Sequence, residues 1–153
     1  MSNKYDNLKD RTKKFSLDVI KVVETLPKND TCKIIGHQLL RSGTSVGANY
    51  RSSCRTRSSA DFISRITICE EEADESCYWF ELLFESAYIP ESIFTKMHKE
   101  GTELTAIFAA SAFTAKKNNN FNKSGKADFQ DCETTSHSEL RISNSNNNKK
   151  SKI

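Results

Sequence analysis

Apolar residues recur at helical spacing in four stretches of the sequence. From about Asp10 to Leu26, the residues Phe15, Val19, Val22, Val23 and Leu26 form one stripe. Pro27 ends that stretch, because proline clashes within a helix interior. The second stretch runs from about Thr31 to Ser52 behind an N-cap at Asn29 or Asp30. Leu39, Ser42, Val46 and Asn49 share one of its sides, and Gly36, Gly43 and Gly47 share a face. A mid-helix glycine costs about 1 kcal/mol against alanine, so three on one face predict a closely approaching backbone. The alternative is a helix broken near Gly43. The continuous helix is expected, since no proline or Asn-Gly step interrupts it.

The third stretch, Ser59 to about Ala87, is the most regular. Phe62, Ile66, Cys69, Ala73, Ser76, Phe80, Leu83 and Ala87 make an unbroken heptad seam of the kind that packs at shallow angles. Ser58 and Asp61 approximate a capping box ahead of it. Trp79 and Leu82 add a second apolar strip, which either widens the core or, with Glu75, faces another subunit. Pro90 suits the first position of a fourth helix, along which Ile93, Met97, Gly101, Leu104, Phe108, Ser111 and Ala115 form a stripe. Four amphipathic helices with short connections predict an all-α, antiparallel up-and-down four-helix bundle over residues 10–116.

Composition sharpens the ends of this picture. The 153 residues carry 23 Lys+Arg and 20 Asp+Glu, a net charge of +3, with mean hydropathy −0.64. Five glycines and two prolines are too few for a turn-rich all-β protein. Residues 1–116 hold 16 basic and 16 acidic side chains, so the whole excess lies in residues 117–153. That segment contains eight asparagines and no apolar period. It is expected to be a disordered tail, and residues 1–9 a flexible N-terminus.

Within the neutral part the charges are segregated. Lys33 to Ile68 holds six bases and one acid, whereas Glu70 to Glu91 holds eight acids and no base. Such blocks attract phosphates, pair with a neighbouring subunit, or pair with each other inside one bundle. Arg41, Arg51, Arg55, Arg57 and Arg65 are the candidate nucleic-acid contacts, since guanidinium groups bind phosphates bidentately. Trp79, Leu82 and Glu75 are the candidate subunit contacts.

The motifs of catalysis are missing from the sequence. The residues three before His37, His98 and His137 are Ile34, Thr95 and Thr134, so there is no Glu-x-x-His di-iron signature. No G-x-S-x-G elbow occurs, and Gly43-Thr-Ser-Val-Gly47 lacks the Gly-Lys-Ser/Thr ending of a phosphate loop. Neither catalytic residues nor a cofactor or metal is expected, and the chain is expected not to be an enzyme. Met1 to Lys14 has no apolar signal region, and the charge-free run Leu104–Ala115 is too short to cross a membrane. Five cysteines without CxxC spacing read as reduced thiols, so a cytoplasmic protein is expected.

Three strings carry a family resemblance: Gln38-Leu-Leu-Arg-Ser-Gly-Thr-Ser-Val-Gly-Ala-Asn-Tyr-Arg51, Ser59-Ala-Asp-Phe-Ile63, and Glu70-Glu-Glu-Ala-Asp-Glu-Ser76 with Tyr78-Trp-Phe-Glu-Leu-Leu83. The chain from about Phe15 to Lys116 resembles the bacterial 23S rRNA intervening-sequence proteins. The resemblance implies an up-and-down bundle that assembles into a pentameric ring. A related branch, the accessory protein of diversity-generating retroelements, implies nucleic acid and a reverse transcriptase as partners. That branch has Ala-Glu-Gly after Ala-Asn, where this chain has Tyr50-Arg51-Ser52, and it is strongly basic where this domain is neutral. Two expectations therefore stand side by side: an oligomeric nucleic-acid-binding bundle, and a scaffold whose charged faces pair between subunits.

Overall fold

Local stop and start signals divide the chain into four helices in the computed structural model, which describes residues 4–143, with side chains over residues 8–120. They are α1 (Lys4–Thr25), α2 (Asp30–Ser53), α3 (Ser59–Glu85) and α4 (Glu91–Ser143). Among the described residues there is no strand. The chain divides into two units, Met1–Ala115 and Lys116–Ile153.

The caps follow the sequence closely. The Asn29 side chain accepts the Cys32 amide at 2.8 Å, and Ser58 Oγ accepts the Asp61 amide at 3.1 Å, so α2 and α3 each begin on a satisfied N-cap. α1 opens at Lys4, earlier than the apolar stripe indicates. Pro90 sits one position ahead of the expected one: its carbonyl accepts the Phe94 amide at 3.1 Å, which makes it the cap and Glu91 the first helical residue.

The seam of α3 ends differently from its heptad pattern. Ala87 leaves the helix with φ 58° and is exposed. The Tyr88 amide bonds the Leu83 carbonyl at 2.8 Å and the Ala87 amide bonds Phe84 at 2.9 Å, the paired bonds of a Schellman cap. The heptad continued to position 87 in sequence, but the chain must turn here to bring Ile89 back into the core.

In the first unit the helices pack antiparallel in sequence order. On the α1–α2 side, a Cβ on Gly43 would lie 2.7 Å from Val19 Cγ2, and the Ser16 hydroxyl donates to the Gly43 carbonyl at 2.9 Å. The equivalent positions at Gly36 and Gly47 meet Leu26 and Ser16. The glycine face of α2 thus receives α1, as its spacing predicts, and α2 is unbroken. Ser42 and Ser76 hydroxyls meet at 2.9 Å between α2 and α3. A Cβ on Gly101 would lie 2.5 Å from Cys77 Sγ, which brings α4 tightly onto α3. The core is filled by Phe15, Val19, Leu39, Val46, Ile66, Phe80, Leu83, Leu104 and Phe108, all at 2% exposure or less. Burial pushes the Cys69 thiol up to about 12 and Cys77 up to about 11, so both act as small core residues.

α4 extends to Ser143 in the second unit, and residues 144–153 of the expected tail lie outside the described residues. No proline interrupts residues 117–143, so nothing in the backbone stops the helix, although no apolar stripe supports it.

Candidate nucleic-acid interface

The five candidate arginines fall into two kinds once the helices are assembled. Arg41 projects from α2 to α3, where its guanidinium donates to Glu75 and lies 3.6 Å from Glu72. The Glu75 bond raises its affinity for its proton further. Arg65 pairs loosely with Asp61, one turn back on α3, at 3.7 Å. Part of the charge segregation is therefore resolved inside one bundle.

Arg51, Arg55 and Arg57 behave differently. Arg51 closes the last turn of α2, and the other two lie in the α2–α3 connection, Cys54–Ser58. All three are exposed, and none has a carboxylate partner among the described residues. Residues 31–60 contain no acid at all. Ten residues separate Arg41 from Arg51, about 15 Å along the helix, so Glu72 and Glu75 hold the former without reaching the latter. The connection continues the last turn of α2: the Arg55 and Thr56 amides bond the carbonyls of Ser52 and Ser53.

The candidate subunit residues sit in an internal network. Trp79 Nε1–H donates to Glu75 Oε1 at 3.0 Å while its ring packs against the core. Leu82 is partly buried. Burial alone would raise the Glu75 carboxyl, but the bonds from Trp79 and Arg41 outweigh it and hold the group below its ordinary value. Its neighbour Glu72 goes the other way. Burial raises it, Arg41 only partly compensates, and its Oε2 has no hydrogen-bond partner.

Two further clusters escape sequence reading. Arg11 on α1 grips Glu100 of α4 with Nε–Oε1 at 2.6 Å and Nη2–Oε2 at 2.9 Å, and also reaches Glu103. Asp18 takes Lys14 at 2.7 Å and Lys96 at 3.0 Å. Burial opposes its ionisation, yet the two lysines keep it below the usual carboxylate range. The only prior signal for these was helical phase: each charge flanks a core stripe. Four aliphatic and aromatic side chains, Leu17, Ile34, Tyr78 and Phe113, stand exposed.

Among the described residues, no three His, Cys, Asp or Glu side chains are grouped to hold a metal ion. No described helix is long and apolar enough to cross a membrane. An open depression on the first turns of α4 is lined by Glu91, Ser92, Thr95, Lys96 and Lys99, all from one helix.

Comparison with known proteins agrees with this architecture. No curated protein matches the sequence. A crystal structure of a protein of unknown function from the S23 ribosomal protein family of Bacteroides thetaiotaomicron is similar, at 32% identity and a TM-score of 0.64. The match covers 68% of this chain and 96% of that one. Residues 7–110 match the family described as 23S rRNA-intervening sequence protein, and the chain belongs to that family.

Proposed function

We propose that this chain is a non-enzymatic, cytoplasmic, oligomeric bundle that binds nucleic acid at the α2–α3 end. The observation that carries the reading is the set Arg51, Arg55 and Arg57: three exposed side chains on a hydrogen-bonded turn, with no ion pair to a carboxylate among the described residues. Free guanidinium groups release counterions when they meet phosphates, so affinity is backbone-driven and salt-dependent. Arg41 and Arg65 contribute less, because carboxylates of the same chain already hold them. The family name supports an association with RNA, and the family resemblance supports a ring of subunits.

A second reading rests on the opposite charges. Glu71 and Asp74 are exposed on α3 and carry no basic partner among the described residues. They could receive the free arginines of a neighbouring subunit, which makes the chain a scaffold.

Charge reversal separates the two. The double variant R51E/R55E is applied to an immobilised RNA column, and its mass is measured by light scattering. Nucleic-acid binding predicts lost retention with the oligomer intact. Dissociation of the oligomer by the same variant supports the scaffold instead.

A further inference from the structure

The outer face of α2 carries one sign of charge along most of its length. At about 100° per residue, Lys33, His37, Thr44, Ala48 and Arg51 fall within about 60° of one another around the helix axis. The buried Leu39, Val46 and Tyr50 lie on the opposite side. Lys33, His37, Ala48 and Arg51 are all exposed. Between Asp30, in the first turn of α2, and Asp61, on α3, the chain holds no acid. Arg41 stands at the edge of this face, where Glu72 and Glu75 of α3 hold it. Lys33 and Arg51 make no ion pair among the described residues.

Stability alone does not call for such a face. Exposed charges of opposite sign support a helix at i, i+3 and i, i+4, and like charges oppose it. The outer faces of the other helices are mixed or acidic. α1 exposes Lys21 with Glu24, α4 exposes Lys99 with Glu103, and α3 exposes Glu71 with Asp74. Lys33 lies eighteen residues before Arg51, about 27 Å along the axis. A stacked strand at about 3.4 Å per nucleotide covers that length with about eight nucleotides. Thr44 and Ala48, in the middle, are short and uncharged, so a phosphate backbone can lie close to the helix there.

We propose that the nucleic-acid strand anchored at the α2–α3 end continues along the outer face of α2, with Lys33 as its far phosphate contact. The inference rests on the nucleic-acid reading above and gives that site its length and path. The arginines grip the near end, and the Lys33 ammonium meets a phosphate as a point charge on a flexible stem. The path along α3 is closed, because Glu71 and Asp74 repel phosphates.

The test uses the full chain and a labelled twelve-nucleotide uridine RNA, with anisotropy as the readout. Lys33→Gln is expected to weaken binding about threefold and to cut the salt slope by about 0.7. His37→Glu puts a carboxylate on the path about 21 Å from Arg51. That exceeds the Debye length of about 10 Å at 0.1 M salt, so it acts only if the strand itself passes there. His37→Glu is expected to weaken binding about tenfold at that salt, and Lys21→Gln on α1 to change nothing. If Lys33→Gln and His37→Glu bind as wild type does, the strand does not follow α2 and the proposal falls. The arginine reading then stands provided R51E/R55E still releases the RNA. If Lys21→Gln costs as much as Lys33→Gln, overall charge is acting and the proposal falls. If either α2 variant lowers the mass by light scattering, the face is a subunit contact and the proposal falls. If the wild type does not bind the RNA, both readings fall together.

Discussion

The middle of the bundle and its α2–α3 end use the same side chains to opposite effect. In the middle, Arg41 meets Glu72 and Glu75, Arg11 meets Glu100 and Glu103, and Asp18 meets two lysines. At the end, Arg51, Arg55 and Arg57 are exposed and make no ion pair among the described residues. The middle spends its charges on holding neighbouring helices in register. The end keeps its charges available. A net charge near zero over residues 1–116 hides this difference, because the surplus carboxylates lie on α3, away from the free arginines.

The comparison is broken most forcefully in the middle. Gly43→Ala sets a methyl 2.7 Å from a buried Val19 methyl, so α1 and α2 must separate. A loss of about 1–3 kcal/mol is expected in denaturant unfolding. Charge reversal sharpens the contrast next. Arg41→Glu places three carboxylates together and is expected to lower the unfolding midpoint. R51E/R55E is expected to stay within about 0.5 kcal/mol of wild type, since it breaks no contact. Equal losses in the two variants would erase the distinction.

Smaller effects come from the turn after α3 and from the Arg41 partners. Ala87→Gly relieves a left-handed backbone and is expected to gain about 0.5–1 kcal/mol, read as a higher unfolding midpoint. Glu75 and Glu72 should respond to pH with opposite signs. The folded carboxyl of Glu75 lies below its ordinary value of 4.5, so its stabilisation is present above that pH and disappears as pH falls through the lower folded value. Glu72 lies above 4.5 when folded, so its ionised form costs stability above that pH. Glu75→Gln is therefore expected to destabilise, and Glu72→Gln to stabilise, at neutral pH, each by less than about 1 kcal/mol. The Glu72 difference should fade as pH falls below about 4.5, and the Glu75 difference should persist to lower pH before it fades.

Much of the fold was legible because its signals are local. Pro27, Asn29, Ser58 and Pro90 bound helices by what they do to their own backbone. The glycines of α2 announced the close approach of α1, since only a packed neighbour justifies three of them. Ala87 could not be read, because alanine carries no mark of a left-handed turn and the heptad ran on through it. The candidate site was half legible. Composition found all five arginines, but which of them are free depends on carboxylates that the fold brings from another helix.

The salt dependence of binding tests the central claim most directly. The slope of log affinity against log salt for single-stranded RNA is compared in wild type, Arg41→Gln and the triple variant R51Q/R55Q/R57Q. Three free arginines predict that the triple variant loses about 2 from the slope per site, at roughly 0.7 for each phosphate contact, while Arg41→Gln keeps the wild-type slope. An unchanged slope in the triple variant, or an equal loss in Arg41→Gln, would contradict the account.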